Sequence, residues 1–250
     1  MSTFLTLTRR ELAAFFLSLT GYVVIAVVTL LIGASFAMLI HNLGTDPFPQ
    51  PVTEVFFNSF LFWMIVILAA PVITMRLFAL EKAAGTFETL MTTPVGDAQV
   101  VAAKFAAAMI FYLLMWLPSL ACLLIVGHLT NQKNALDAGT LGGTYLGIVL
   151  GGGVLLSAGC FASSLTRSQV VAAVVSLAAG MALFIVAYVA QGVTATDQWQ
   201  EQLLHCFNLF KQMKDFTRGV VDTRTVVLYV SFILLFLFLT LRVVESRRWK

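Results

Sequence analysis

Six long apolar runs without a charged residue constrain this chain more than any other feature of its sequence. They cover residues 20–40, 55–75, 105–127, 141–165, 170–191 and 225–241, and none contains Asp, Glu, Lys, Arg or His. A helix of about 20 apolar residues spans the hydrocarbon core of a bilayer while satisfying its own backbone hydrogen bonds. We therefore predict an all-α integral membrane protein with six transmembrane helices.

Composition supports a single membrane domain. The chain has 250 residues, of which 60% are hydrophobic and 11% are charged. Soluble domains carry about 25% charged residues, so this level is typical of a protein whose solvent is lipid. No block long enough for a soluble catalytic unit separates the apolar runs. We interpret residues 1–250 as one transmembrane domain.

The N-terminal segment, residues 1–19, has an amphipathic pattern. Leu5, Leu12 and Phe15 fall on one helical face and Arg9 falls on the other. Such a helix lies in the headgroup layer of a membrane. We predict an interfacial helix here, and the alternative is that the segment simply continues the first span.

A second amphipathic segment lies in the long outer loop, residues 192–224. Its apolar side chains recur at three- or four-residue intervals: Trp199, Leu203, Phe207, Phe210 and Met213. Aromatic side chains prefer the membrane interface. We predict an interfacial helix in this loop, with a helix that caps the bundle as the alternative.

The distribution of Lys and Arg predicts the orientation in the membrane. One side carries ten of the fifteen basic residues, namely Arg9, Arg10, Arg76, Lys82, Lys104, Arg167, Arg242, Arg247, Arg248 and Lys250. Basic residues accumulate on the cytoplasmic face, so we predict that both termini are cytoplasmic. The net charge of +3 reflects this bias, and we expect no nucleic-acid partner.

Missing motifs exclude several functions. No Gly is followed by Lys, so the phosphate-binding loop of an ATPase is absent, and so is the H-E-x-x-H pattern of a zinc protease. The three Cys have no metal or disulfide spacing. Ion-driven carriers keep ionisable groups inside the membrane, whereas these six runs contain none. We expect that the chain is not an enzyme and binds no cofactor or metal itself.

The fourth run carries glycines at four-residue intervals, Gly139, Gly143, Gly147 and Gly151. Small residues at this spacing let another helix approach closely. The ridge therefore predicts a helix-packing surface, which lies either within the subunit or between two subunits.

The second run is rich in aromatic residues and contains one amide. We take Asn58, Phe60 and Trp63 as a candidate substrate path. The alternative is that Asn58 bonds to an adjacent helix and that the aromatic rings face lipid or neighbouring helices. The absence of charge from every run favours an amphiphile, a lipid-linked molecule or a polypeptide as cargo over a small ion.

A polar segment, residues 76–98, interrupts the apolar pattern on the predicted cytoplasmic side. Gly85 and Pro94 bound a short helix that Thr86 caps and that runs to Met91. Its apolar ridge and charged face indicate a docking element. Lys104 follows at the start of the third span, where we expect its amine to snorkel to the interface.

The stretch "RLFALEKAAGTFETLMTTPVGDAQVVAAKF" resembles the E-[KR]-x-x-G-T-x-E-x-L-x-x-x-P segment of ABC-2 type permeases. The resemblance implies six helices behind an amphipathic N-terminal helix in a bacterial inner membrane. It implies two ATPase subunits, which hold ATP and Mg, and a second permease subunit that makes a homodimer or heterodimer. It also implies an ATPase-coupling region that contains Glu81, Lys82, Gly85, Thr86, Glu88, Leu90 and Pro94, and the apolar face of the short predicted helix adds Phe87 and Met91 to it.

Two flanking stretches are similar to the gliding-motility type of ABC-2 permease. They are "TRRELAAFFLSLTGYVVIA" at residues 8–26 and "FTRGVVDTRTVVLYVS" at residues 216–231. The implied function is an exporter permease. The alternative is a membrane anchor that uses an ATPase for mechanical work.

Overall fold

The computed structural model describes residues 3–43, 52–86, 96–129, 138–192 and 208–246, and all regular structure within these ranges is helical. The helices, numbered here in chain order, are α1 (Thr3–Phe16), α2 (Leu19–Leu43), α3 (Val52–Phe57), α4 (Phe60–Thr74), α5 (Ala79–Ala84), α6 (Asp97–Leu129), α7 (Ala138–Leu165), α8 (Gln169–Gly192), α9 (Leu209–Thr217) and α10 (Thr223–Ser246).

Six segments of the described residues are long and apolar enough to cross a membrane: Leu19–His41, Phe60–Ala84, Asp97–Ile125, Gly139–Leu165, Gln169–Gln191 and Thr223–Ser246. The predicted all-α fold with six spans is confirmed. The third span begins eight residues earlier than the apolar run, because α6 already starts at Asp97. These eight residues bring Lys104 into the helix.

The run 55–75 predicted one continuous helix, but the second span is broken near its start. Helix α3 ends at Phe57 and α4 begins at Phe60. Ser59 caps α4, since its hydroxyl accepts a hydrogen bond of 3.3 Å from the backbone N–H of Phe62. Asn58 therefore lies at a break between two helices and not inside a span.

Helix α1 is separate from the first span. The chain turns at Leu17 and Ser18 before α2 begins, and a Cβ at Gly21 would collide with the carbonyl oxygen of Phe15, so the turn requires glycine there. The ring of Phe15 stacks on Phe111 of α6 with 4.8 Å between centroids. Part of the apolar face of α1 thus packs against the bundle.

Helix α7 is the centre of the bundle and packs against α4, α6, α8, α9 and α10. Its glycines allow this, because a Cβ at Gly152 would collide with Tyr112 of α6 and one at Gly159 with Thr74 of α4. By contrast, α10 exposes Val227, Leu234 and Phe238.

We call the two ends of the bundle the α1 end and the α9 end.

Candidate functional site

An ion-pair network around the buried Lys104 joins three helices at the α1 end. The Lys104 side chain of α6 is 2% exposed, and its Nζ lies 3.1 Å from Oε2 of Glu11 in α1 and 3.0 Å from Oε1 of Glu81 in α5. The Arg10 Nη2 lies 2.6 Å from the other oxygen of Glu11 and 3.3 Å from Oε1 of Glu81. Two cations thus pair with two carboxylates. We call Arg10, Glu11, Glu81 and Lys104 the ion network.

Lys104 does not snorkel to the interface, so this expectation was wrong. Its position two turns after Asp97 places the amine under α1 and α5, where the Phe78 ring centroid is 5.4 Å away. Moving a charged amine out of water is costly unless it is paired, and the two carboxylates provide that pairing. The hydrogen bond to Glu11 also raises the pKa of Arg10, which keeps this guanidinium charged.

Helix α5 is anchored to the end of α7 by two serines. The hydroxyl of Ser163 accepts hydrogen bonds of 3.1 Å from the backbone N–H groups of Phe78 and Ala79, so it satisfies the first donors of α5. The amine of Lys82 donates to the carbonyl oxygen of Ser164. Lys82 is buried, with 8% exposure. It therefore faces the subunit interior, whereas the resemblance implied contact with an ATPase.

Gly85 ends α5 in the left-handed conformation, with φ of +73°, which glycine adopts without strain. Thr86 is exposed, and its hydroxyl donates 3.4 Å back to the carbonyl oxygen of Glu81. Gly85 and Thr86 thus lie at the end of the helix that contains Glu81 and Lys82. The remaining coupling residues of the sequence prediction lie outside the described residues, namely Phe87, Glu88, Leu90, Met91 and Pro94.

A cavity of about 500 Å³ opens beside the ion network, between α1 and the α4–α5 connection. Besides the four network residues, its lining includes Arg76 and Ser18. The guanidinium of Arg76 donates to the hydroxyl of Ser18 at 3.3 Å and to the hydroxyl of Thr20. The cavity lining therefore combines polar groups with apolar residues such as Phe15 and Leu77.

A second ion cluster at the α9 end was not found by sequence reasoning. Glu54 of α3 has a side-chain exposure of 3%, and Arg218 donates two hydrogen bonds of 3.0 Å to its carboxylate. The amine of Lys214 in α9 lies 3.1 Å from Oε1 of Glu54. The Arg218 hydrogen bonds lower the pKa of Glu54. Glu54 and Arg218 are 164 positions apart in the chain, and no local pattern predicts their pairing.

The glycine ridge on α7 packs within the subunit over part of its length. A Cβ at Gly143 would lie 2.5 Å from the carbonyl oxygen of Phe216, and one at Gly147 would lie 3.0 Å from Met213 Sδ. Gly139 backbone atoms approach Gly219 after α9. No atom of the described residues lies within 4 Å of a Cβ at Gly151. Gly143 and Gly147 thus allow α9 to pack closely against α7, where it caps the bundle.

The three candidate substrate residues do not form one surface. Phe60 is 68% exposed and faces away from the core, whereas Trp63 is 7% exposed. Both rings contact Phe184 of α8, with centroid separations of 6.5 and 6.3 Å. Trp63 also lines a narrow cavity of about 50 Å³ in the bundle, with Gly151 on its far wall. Asn58 does not line that cavity.

The architecture defines a multi-pass helical membrane protein with an ion-pair network at one end of its spans. Comparison with known families makes this class specific. The model of the ABC-2 family transporter protein matches residues 34–244, which is most of the chain, so the protein belongs to that family. It is thus a membrane permease component and not a nucleotide-binding domain, and permeases of this family generally work with a cytoplasmic ATPase. No curated protein matches the chain.

Proposed function

We propose that this chain is the permease subunit of an ATP-driven exporter in which an ATPase moves the ion network as a unit. The observation that carries the proposal is the position of Lys104, whose amine contacts Glu11 and Glu81 at the same time. Moving one carboxylate away would remove one of the two contacts that compensate the buried amine of Lys104, and losing both would cost about 3–5 kcal/mol. A displacement of α5 is therefore passed to α1 and α6.

The ATPase contact is proposed for the segment that follows α5 directly. Phe87, Leu90 and Met91 are its apolar anchors, and Glu88 is a polar contact at its rim. Buried anchors carry most of the energy of an interface, about 2 kcal/mol or more each, whereas rim charges tune register and rate. Glu81 and Lys82 then act from within the subunit, since their partners are Lys104 and Ser164. The rival hypothesis is that Phe87 and Leu90 pack against the N-terminal helix.

The proposed assembly has two permease subunits, identical or different, and two ATPases that hold ATP and Mg. The positive bias of the loops supports cytoplasmic termini and a cytoplasmic α1 end, in a bacterial inner membrane. The flanking similarities at residues 8–26 and 216–231 support the gliding-motility subfamily.

An amphiphile, a lipid-linked molecule or a polypeptide is the proposed cargo. The absence of ionisable residues from the six apolar runs supports this class. Of the candidate path residues, Trp63 has a buried Nε1 without a hydrogen-bond partner among the described residues, so it has a donor to offer to a polar group. The second candidate function is a membrane anchor for an ATPase that does mechanical work, which the gliding-type similarity favours.

The test is co-purification of the Phe87→Ala subunit with its ATPase. We expect weaker association, or ATP hydrolysis that is uncoupled from transport, while the isolated mutant stays monodisperse in detergent. Leu90→Ala should act similarly and Glu88→Gln more mildly. Phe238→Ala is the matched control, because Phe238 is 51% exposed on α10.

Full retention of the ATPase and of coupled activity by Phe87→Ala would remove the docking role. Loss of monodisperse protein without a specific loss of ATPase binding would support the rival packing hypothesis. Stimulation of ATP hydrolysis by small hydrophilic ions alone would contradict the proposed cargo class. Mechanical work by the complex without transport of any molecule would favour the second candidate function, the membrane anchor.

A further inference from the structure

We propose that the cavity at the α1 end binds the headgroup of an anionic phospholipid, with Arg76 as the cation that contacts its phosphodiester. Three cations and two carboxylates line the cavity. The ion network pairs Arg10 and Lys104 with both carboxylates. Arg76 is the remaining cation, and no carboxylate among the described residues forms an ion pair with it. The cavity thus has one uncompensated positive charge, which one phosphodiester neutralises.

The surroundings of the cavity mouth indicate lipid as the source of the anion. Ser18 lines the cavity, and the leucines on either side of it in the chain, Leu17 and Leu19, are 86% and 80% exposed. Tyr22, one turn further on, is 59% exposed. Large apolar side chains around a turn next to an amphipathic helix are typical of a segment immersed at the boundary of headgroups and acyl chains. The Arg76 guanidinium contacts the Ser18 hydroxyl, so it lies at the same level.

The shape and charge of the cavity fit a phospholipid headgroup. A volume of about 500 Å³ lies within the range of small-molecule sites, about 300–1,000 Å³. Phe15, Leu77 and Leu80 line its apolar side, where glycerol and the first methylene groups would pack. Arg10 is about half exposed, with a side-chain value of 53%, but its charge is paired with Glu11 and Glu81, so Arg76 carries the preference for an anion. The geometry therefore favours a headgroup with a net negative charge.

Anionic lipids are available at this position if the α1 end is cytoplasmic. The cytoplasmic leaflet carries a negative surface potential, and basic pockets on that side bind anionic headgroups. This leaflet assignment rests on the proposed orientation. Binding itself does not, and it can be measured on the isolated subunit without an ATPase.

The test is native mass spectrometry of the full-length, delipidated subunit, titrated with phosphatidylglycerol or with phosphatidylcholine. We expect one phosphatidylglycerol per subunit to bind more tightly than any phosphatidylcholine. Arg76→Gln should lower the affinity for phosphatidylglycerol about tenfold, as expected for a lost hydrogen bond to a charged group. Glutamine keeps a hydrogen-bond donor but removes the charge, and an unchanged melting temperature would verify the fold. Arg167→Gln is the matched control, because Arg167 is exposed after α7 at the same end.

Three results would overturn the proposal. One is equal affinity of the unmodified subunit for the two lipids, and another is unchanged phosphatidylglycerol binding by Arg76→Gln. The third is displacement of the lipid by millimolar inorganic phosphate, which would assign the cavity to a soluble anion. In the second case, a loss of ATPase association by Arg76→Gln would assign the cavity to the ATPase. Failure of the ATPase-coupling proposal alone would leave the lipid measurements unaffected.

Discussion

The amine of Lys104 in α6 lies 3.0 Å from the carboxylate of Glu81 in α5, although the two side chains belong to different helices. The same amine contacts Glu11 at 3.1 Å. One buried lysine therefore connects the N-terminal helix, the short helix after the second span and the start of the third span.

Replacing Lys104 with methionine should destabilise the subunit strongly, because Glu11 and Glu81 would then share a buried site with Arg10 as their remaining network cation. Removing one partner of a buried pair costs about 3–5 kcal/mol. We expect a large drop in the thermal midpoint in detergent. Lys211→Met, at an exposed lysine of α9, should change stability by about 1 kcal/mol or less, as is usual for an interaction at the surface. Equal effects of the two changes would show that the network does not stabilise the fold.

The Glu54 cluster should make stability depend on pH. Hydrogen bonds from Arg218 lower the pKa of Glu54 below its ordinary value of 4.5, so the folded state favours the charged carboxylate. This contribution is fully present above the unfolded-state pKa and is lost as pH falls through the folded-state pKa. The melting temperature in detergent should fall on acidification below about pH 4.5. Glu54→Gln should be less stable at neutral pH and should lose part of this acid dependence, and an identical pH profile would contradict the prediction.

The contact between α7 and α9 should tolerate no side chain at Gly143. A Cβ there would lie 2.5 Å from a backbone oxygen, that of Phe216, so Gly143→Ala must displace α9. We expect a loss of about 1–3 kcal/mol, as is usual for overpacking. Gly151→Ala is the control, since a Cβ at Gly151 meets no described atom within 4 Å, and alanine there should be neutral or should stabilise by about 1 kcal/mol. Thermal melting of both variants in detergent would measure the difference, and equal midpoints would refute the close packing.

Reporter fusions should determine the orientation. A fusion after Arg167 lies at the α1 end and should report the cytoplasm, whereas one after Asp137 should report the opposite side. The physical reason is that six spans place both termini on one side and that the basic bias selects the cytoplasm for them. Activity of both reporters on one side would contradict this topology.

At the candidate site, the sequence predicted the region but not its contacts. The motif drew attention to Glu81, Lys82 and Gly85, and all three lie in or next to α5. It did not indicate that Lys82 is buried against Ser164 or that Glu81 pairs with Lys104. From the sequence, a charged residue in a polar segment is predicted to be exposed unless its partner is known. Here the partners are supplied by α6 and α7, which lie elsewhere in the chain.

The number of spans and the all-helical class could be predicted from the order of the residues alone, because a bilayer requires each crossing segment to be long, apolar and hydrogen-bonded internally. Those are properties of a single segment, and composition along the chain reveals them. The contacts between polar residues, by contrast, are visible only once the helices are packed together. The ion network, the Glu54–Arg218 pair and the seat of α9 on Gly143 each join segments distant in the chain. Their pairing depends on how the helices pack, and helix packing is a property of the whole bundle.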